Sequence, residues 1–431
     1  MSKKSRRALS AAIVIALSLA LTLIVIARLR LPEEDAAETL APASTDAPVP
    51  GGAPAAVTPP PEDTAPSAPA ETATPAPTPE PEPEYFTISM VGDCTLAEAK
   101  TRRGWGTAYQ VVVGKDYAYP FAKTVDYFKD DYLTIANLEC VLSDKYYDSI
   151  EQFVFLAPAA YANILTEGSV EFVTLANNHT LDFGQNAYDD TCQALDAVGV
   201  AHAGEDETFI YQTDDGLKIG LYCLYNRLTG NALGIQSAAQ QEQLVAESKE
   251  KIRAAAQSLR DQGAEYIVAC LHMGTEGSYE TSAVQVDVCR STIDAGFDLV
   301  YCTHAHRLQP AEKYGGGLIF YGLGNWSFGG HTNPGNGTDP AAYDTGIARV
   351  TVCRRGEAVT LEDYTFTPCS ISSSVSPDTG ALNANTLNNY QPAPYTEGGA
   401  AWERTMSILN GAYAGANFVT DYGNVLQAMN G

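Results

Sequence analysis

EYIVACLHMGTEGSYETSAVQVDVCRSTIDAGFDLVYCTHAHRLQPAEKYGGGLIFYGLGN, residues 265–325, decides the fold. Three apolar runs, EYIVACLH (265–272), DLVYCTH (298–304) and GLIFYGLGN (317–325), are strand-length and rich in β-branched and aromatic side chains. The spacing predicts a helix over 281–295 between the first two. Strands alternating with helices predict a layered α/β domain. Two of the runs stop on histidine, at His272 and at His304 with His306.

Working outward, the same alternation holds. YFTISMV (85–91), YLTIAN (132–137) and EFVTLAN (171–177) read as strands. Helices are expected over 120–131, 157–168, 184–199 and 237–262, and strands near 208–213 and 217–225. RVTVCRR and VTLEDYTF, after Ala348, read as a closing hairpin, and the tail from about 370 as irregular with one terminal helix.

The strand ends carry the chemistry. Asp93 follows the first strand in V-G-D-C-T, and Asn137 and Glu139 close the second in A-N-L-E-C. Asn177, Asn178 and His179 close the third in L-A-N-N-H-T-L-D-F-G. In open α/β sheets the carboxyl ends of parallel strands share one edge, where ligands bind. Apolar strands that stop on His, Asp or Asn incur a burial cost unless those groups bind one another or a metal. A mixed imidazole and carboxylate set suits Zn, Mn or Fe, and this one is large enough for one or two divalent ions.

These blocks resemble the bacterial capsule-synthesis CapA family, associated with poly-γ-glutamate, over residues 85–368: V-G-D, A-N-L-E, A-N-N-H-T-L-D-F-G, H-M-G-T-E, T-H-A-H-R-L-Q-P and Y-G-L-G-N-W. That resemblance implies a four-layer αββα sandwich of the calcineurin-type metallophosphoesterase kind with a two-metal site. It places Asp93 as a first-strand metal ligand, Asn137 or Glu139 in the bridging block, and Asn178 as a ligand or orienting group. His179 becomes the histidine of the N-H block, catalytic or metal-binding, His272 the isolated histidine, and His304 and His306 the closing H-x-H pair. Two positions depart from a phosphoesterase: Thr95 stands where its first block has histidine, and Asn-Leu-Glu replaces Gly-Asp in the second.

Around the blocks, Glu276 is open between a general base, an orienting group and a helix cap. Asp182 is open between a partner for His179 and loop structure. Arg307, Gln309 and Asn325 are candidate contacts to an anionic substrate, and Trp326 either lines the cleft or belongs to the core. The implied activity is metal-assisted hydrolysis or transfer on an envelope polymer or phosphoester; the alternative is a non-catalytic scaffold or polymer-binding component of a capsule synthesis complex. A polyglutamate ligase or export complex is the implied partner.

The amino end is of another kind. Lys3, Lys4, Arg6 and Arg7 precede an uncharged run from Ala8 to Ala27, long enough to cross a bilayer as a helix. The basic excess before it predicts an uncleaved signal anchor over 1–30, with the carboxyl-terminal bulk outside the cell membrane. Residues 31–84 hold 15 of the 24 prolines, counted from Pro32, and no basic residue, which predicts a disordered, self-repelling tether. The domain proper then runs over 85–368, with an extension over 369–431. A net charge of -26 argues against nucleic acid as a partner, since that requires neutralising phosphates. Nine cysteines without a C-x-x-C pair fit neither a zinc knuckle nor a thioredoxin motif and read as buried free thiols.

Overall fold

The computed structural model describes residues 81–99, 109–145, 149, 153–225, 238–329, 339–382 and 387–413. The expected anchor over 1–30 and nearly all of the tether lie outside the described residues. Among those described, no helix is long and apolar enough to cross a membrane.

In chain order the elements are β1 (Glu84–Cys94), α1 (Tyr109–Val113), β2 (Leu133–Leu138), β3 (Val141–Leu142), β4 (Leu156–Ala157), α2 (Ala162–Glu167), β5 (Phe172–Thr174), α3 (Gln185–Val198), β6 (Ala201–Ala203), β7 (Glu207–Gln212) and β8 (Lys218–Tyr225). There follow α4 (Ala238–Asp261), β9 (Tyr266–Met273), α5 (Ala283–Asp294), β10 (Leu299–His304), β11 (Ala311–Tyr314), β12 (Gly317–Phe320), β13 (Asp344–Arg355), β14 (Ala358–Ser370), β15 (Ala393–Pro394) and α6 (Ala400–Leu409). One sheet runs β15-β14-β13-β1-β2-β5-β6 and the other β11-β12-β10-β9-β8-β7. In the first, the parallel strands β1-β2-β5-β6 run to one edge, with antiparallel strands on the β1 side only; in the second, the parallel centre β8-β9-β10-β12 has an antiparallel strand on each side.

Strand period explains the layering. Ile88, Met90, Leu133 and Ile135 of the first sheet pack against Ile219, Leu221, Val268, Leu299 and Tyr301 of the second, forming the seam between the sheets. Ile267, Ala269 and Leu271, alternating with Val268 and Cys270 along β9, face outward onto Ile252, Leu259, Val286 and Ile293 of α4 and α5. Ala136, Leu138 and Val173 likewise meet Ile164, Leu165 and Leu195 of α2 and α3. The result is an αββα arrangement of four layers. Strands covered on both faces read as unbroken apolar runs, and this is why β9 and β10 stand out in the sequence. Each large apolar side chain so buried contributes on the order of 1.5–3 kcal/mol. That is ample to carry an occasional polar group into the core at about 1–3 kcal/mol.

Three expectations need correction. Residues 120–131 form two 3₁₀ turns, Tyr119–Phe121 and Val125–Tyr127, instead of a helix. Pro120 opens the segment, β-branched and aromatic residues fill it, and Phe121 and Phe128 are pinned against Trp326. A strand follows the third histidine block, β11, joined to β12 across Gly315 and Gly316, both at positive φ. The tail also does more than end in a helix: β15 pairs with β14, and Tyr390 is fully buried in the core. All nine cysteines are free thiols, and only Cys192 is not fully buried.

Candidate metal centre

The strand ends that carry the polar blocks belong to two sheets, not one. β1, β2 and β5 deliver Asp93, Glu139 and the 177–179 segment from the first sheet, and β9 and β10 deliver His272, His304 and His306 from the second. A register shift between Met90 and Asp93 interrupts the pairing of β1 with β2, which resumes with Asp93 beside Asn137. Beyond it, Asp93 N donates to Gly324 O at 2.9 Å and Trp326 N to Asp93 O at 2.8 Å, so the 324–326 segment closes over the strand end. Gly92 permits this approach, because a Cβ there would lie 2.0 Å from Gly324 O. His304 and His306 have φ of 94° and 51°, left-handed backbone that side chains rarely adopt. Such strain persists only where the surroundings impose it, and it clusters at functional sites.

Glu139 occupies the middle. Its Oε1 lies 3.6 Å from His272 Nε2, 3.9 Å from His306 Nε2 and 4.0 Å from His179 Nε2. Two sets of buried ligand atoms, each within 4.8 Å, share this carboxylate: Glu139 with His272 and His304, and Asp93 with Glu139 and His306. Asn178 Oδ1 is 2.7 Å from His272 Nε2, beside the first set. His272 Nδ1 meets Thr303 Oγ1 at 2.8 Å. His306 Nδ1 lies 3.1 Å from Asp93 Oδ2 and 2.9 Å from Asn325 Oδ1.

The electrostatics are those of a site short of positive charge. Burial, then the charge of Asp93, pushes the Glu139 carboxyl well above the usual range. Burial, reinforced by neighbouring imidazoles, pushes His272 well down and His304 down to about 4. His306 runs the other way: burial opposes its charge, but the hydrogen bond and the charge of Asp93 raise it. Glu139 Oε1 and His304 Nδ1 are buried without a hydrogen-bond partner among the described residues. Orphaned oxygen and nitrogen donors converging in this way fit a divalent cation.

The other expected residues divide. Asn137 is not placed as a ligand: its Nδ2 donates to Asp93 Oδ1 at 2.8 Å, and its Oδ1 accepts from Asn177 Nδ2 at 3.0 Å. Glu139 therefore takes the shared position. His179 belongs to neither ligand set; its Nδ1 is held 3.1 Å from both oxygens of Asp182, which also accepts from Phe155 N at 2.8 Å. Gln309 is removed as a substrate contact, because it is fully buried and spans Gln285, Ser278 O and Glu280 O, bracing the 274–281 loop. Asn325 is turned inward to His306, and Trp326 is core. Arg307 donates to His306 O at 2.8 Å and lies over the Tyr279 ring, 5.7 Å from its centroid. Glu276 is exposed on the loop, with its charge felt at Glu139, His304 and His306. Asn177, named at the third strand end without a role of its own, ties Asn137, Leu138 O and His179 N together, and Thr303 beside His304 carries no mark in the sequence. Nothing in the sequence separates either from an ordinary polar residue near a strand end.

A profile of the bacterial capsule synthesis protein PGA_cap family matches residues 87–329, more than half of the chain and every block of the centre. The chain belongs to that family. Capsule biosynthesis protein CapA of Bacillus anthracis is 25% identical over 259 residues, covering 57% of this PGA_cap chain and 60% of the relative. The PGA biosynthesis protein CapA of Bacillus subtilis (strain 168) is 28% identical over 172 residues, covering 38% and 44%. A probable polyglutamine synthesis accessory protein of Mycobacterium tuberculosis is 29% identical over 164 residues, covering 35% and 43%. The PGA_cap chain thus spans about half the length of these relatives. Among solved structures, a phosphatase from Mycoplasma pneumoniae aligns with a TM-score of 0.37 at 12% identity, covering 66% of this chain and 93% of that one. The calcineurin-like phosphoesterase YfkN of Bacillus subtilis aligns at 0.38 and 11%, covering 82% and 100%.

Proposed function

We propose that this protein is a metal-dependent hydrolase or transferase of the calcineurin type, acting on an anionic envelope polymer or phosphoester in capsule or poly-γ-glutamate synthesis or export. The observation that carries the reading is one buried carboxylate, Glu139, shared by two ligand sets, with His179 beside it. Asp93, Glu139, His272, His304 and His306, with Asn178, would hold one or two ions of Mn, Zn or Fe. Bound there, a divalent cation lowers the pKa of a coordinated water and polarises a phosphoryl or carbonyl oxygen. Asp182 fixes the His179 ring through Nδ1, which leaves Nε2 facing the centre; as the imidazolium, with hydrogens on both nitrogens, the ring would give its Nε2 proton to a leaving oxygen. Asn177 holds the backbone that presents His179, through His179 N at 3.0 Å. Phe155 packs edge-on against the same ring, with centroids 4.7 Å apart, and shields one side from water. Residues 1–30 would anchor the protein in the cell membrane, with the domain outside the cell and a polyglutamate ligase or export complex as partner.

One observation favours a second reading, a non-catalytic scaffold or polymer-binding subunit. Thr95 Oγ1 is committed to Gly329 N at 2.7 Å and to Ala97 O at 3.2 Å, so β1 offers one ligand where a phosphoesterase offers two. The two readings separate on full-length, Mn-loaded protein assayed against p-nitrophenyl phosphate and γ-glutamyl oligomers. The catalytic reading expects turnover that falls about 10²–10⁴-fold in His179→Gln, with bound metal unchanged. Turnover that is absent in the wild type leaves the scaffold, and turnover equal in the variant removes His179 from the chemistry.

A further inference from the structure

We infer that the centre binds its cations unequally: a first, tight ion between Glu139, His272 and His304 with Asn178 alongside, and a second, weak ion between Asp93, Glu139 and His306. This rests on the metal-dependent reading and ranks its two positions. The ranking follows from what the donor atoms already contact. In the first set, Glu139 Oε1 and His304 Nδ1 are buried and lack any hydrogen bond among the described residues, so a cation there relieves two orphaned atoms and displaces one contact, that of His272 Nε2 with Asn178 Oδ1. Asn178 Oδ1, 2.7 Å from His272 Nε2, adds a fourth donor.

Beyond the shared Glu139, the second set is already engaged from within. Asp93 Oδ1 accepts from Asn137 Nδ2 at 2.8 Å, and its Oδ2 meets His306 Nδ1 at 3.1 Å and His304 N at 3.3 Å. His306 Nδ1 is shared with Asn325 Oδ1 at 2.9 Å. Thr95, two residues beyond Asp93, has its hydroxyl tied to Gly329 N and Ala97 O and supplies no further donor. A second ion must therefore compete with existing hydrogen bonds for fewer ligands.

The same geometry assigns Thr303 as a positioning residue for the tight site. For His272 Nε2 to face a cation, Nδ1 must carry the hydrogen, and Thr303 Oγ1, itself buried, stands 2.8 Å away to accept it.

The test is a Mn²⁺ titration of chelator-stripped full-length protein, read by calorimetry and by the paramagnetic resonance signal of free Mn²⁺. Two resolved steps are expected. Asp93→Asn should remove only the weak step, and His304→Ala should remove the tight one. Thr303→Val should weaken the tight step about 10- to 100-fold, with recovery in Thr303→Ser; thermal melts without metal confirm that each variant folds. Two indistinguishable steps, loss of the tight step in Asp93→Asn, or a tight step unmoved in Thr303→Val would overturn the ranking while leaving the metal centre standing. No Mn²⁺ bound by the wild type would overturn both.

Discussion

Glu171 and Asp131 are a half-buried acid pair away from the centre. Glu171 Oε2 accepts from Thr134 N at 2.8 Å, and Thr134 Oγ1 donates to Asp131 Oδ2 at 2.7 Å. Burial raises Glu171 to about 7, with the Asp131 charge adding to it, and burial raises Asp131 to about 6 against the pull of neighbouring hydroxyls and Arg349. An acid whose folded pKa lies above its unfolded value holds its proton more tightly when folded. Its contribution to stability is therefore greatest below about pH 4 and is lost as the pH climbs through the folded values. Glu171→Gln keeps the acceptor for Thr134 N and removes the ionisation. Its melting temperature relative to wild type should rise steadily between pH 5 and pH 8; a difference that stays flat across that range would show that Glu171 ionises without penalty. Legibility at this scale follows the same physics. Asp93, Glu139, His272, His304 and His306 could be read because a charged or imidazole side chain at the end of an apolar strand is costly without a partner. Asn177 and Thr303 could not, since amides and hydroxyls in such places usually find a nearby backbone group.

At the scale of elements, the close crossing of β1 with the 324–326 segment is the tightest tolerance near the centre. Gly92→Ala would press a Cβ to 2.0 Å from Gly324 O, backbone against backbone, with no flexible side chain to yield. The expected outcome is loss of bound metal together with a large drop in unfolding midpoint, read by metal analysis and urea denaturation; wild-type metal content in a folded variant would mean that the crossing is looser than drawn. Elements buried on both faces, β9 and β10, were plain in the sequence because burial on both sides demands an unbroken apolar run. Residues 120–131 misled because their apolar residues have helical spacing but bury into Trp326 from two separate turns. β15 has two residues and no pattern of its own; pairing with β14 creates it.

Across the whole molecule, helix α6 is tied to the sandwich by an ion pair whose carboxylate is buried. Arg404 Nε and Nη2 donate to the two oxygens of Asp344 at 2.7 and 2.6 Å, and Tyr395 Oη donates to Oδ1 at 2.8 Å. Asp344 starts β13 and is fully buried, so Arg404→Ala strands its carboxylate at a cost of about 3–5 kcal/mol. Urea unfolding should show that loss, and Asp344→Asn added to Arg404→Ala should recover part of it. A single variant within error of wild type would mean that α6 is held by its apolar face alone. The four layers were foreseeable from the family resemblance, whereas this clamp was not, because Asp344 and Arg404 lie 60 residues apart with nothing in between to join them.

The position of β1 carries a mechanical consequence. Were residues 1–30 anchored as proposed, tension would enter the first sheet at its centre, since β1 lies between β13, antiparallel from Glu84 to Met90, and β2, parallel from Ile88 to Cys94. A pull along β1 therefore loads both ladders in shear, so their hydrogen bonds resist together instead of peeling one by one. Asp93 is the last residue but one of that strand, so the load path would run into the candidate centre, and an ion gripping both sheets would act as a rivet against force as well as a reagent.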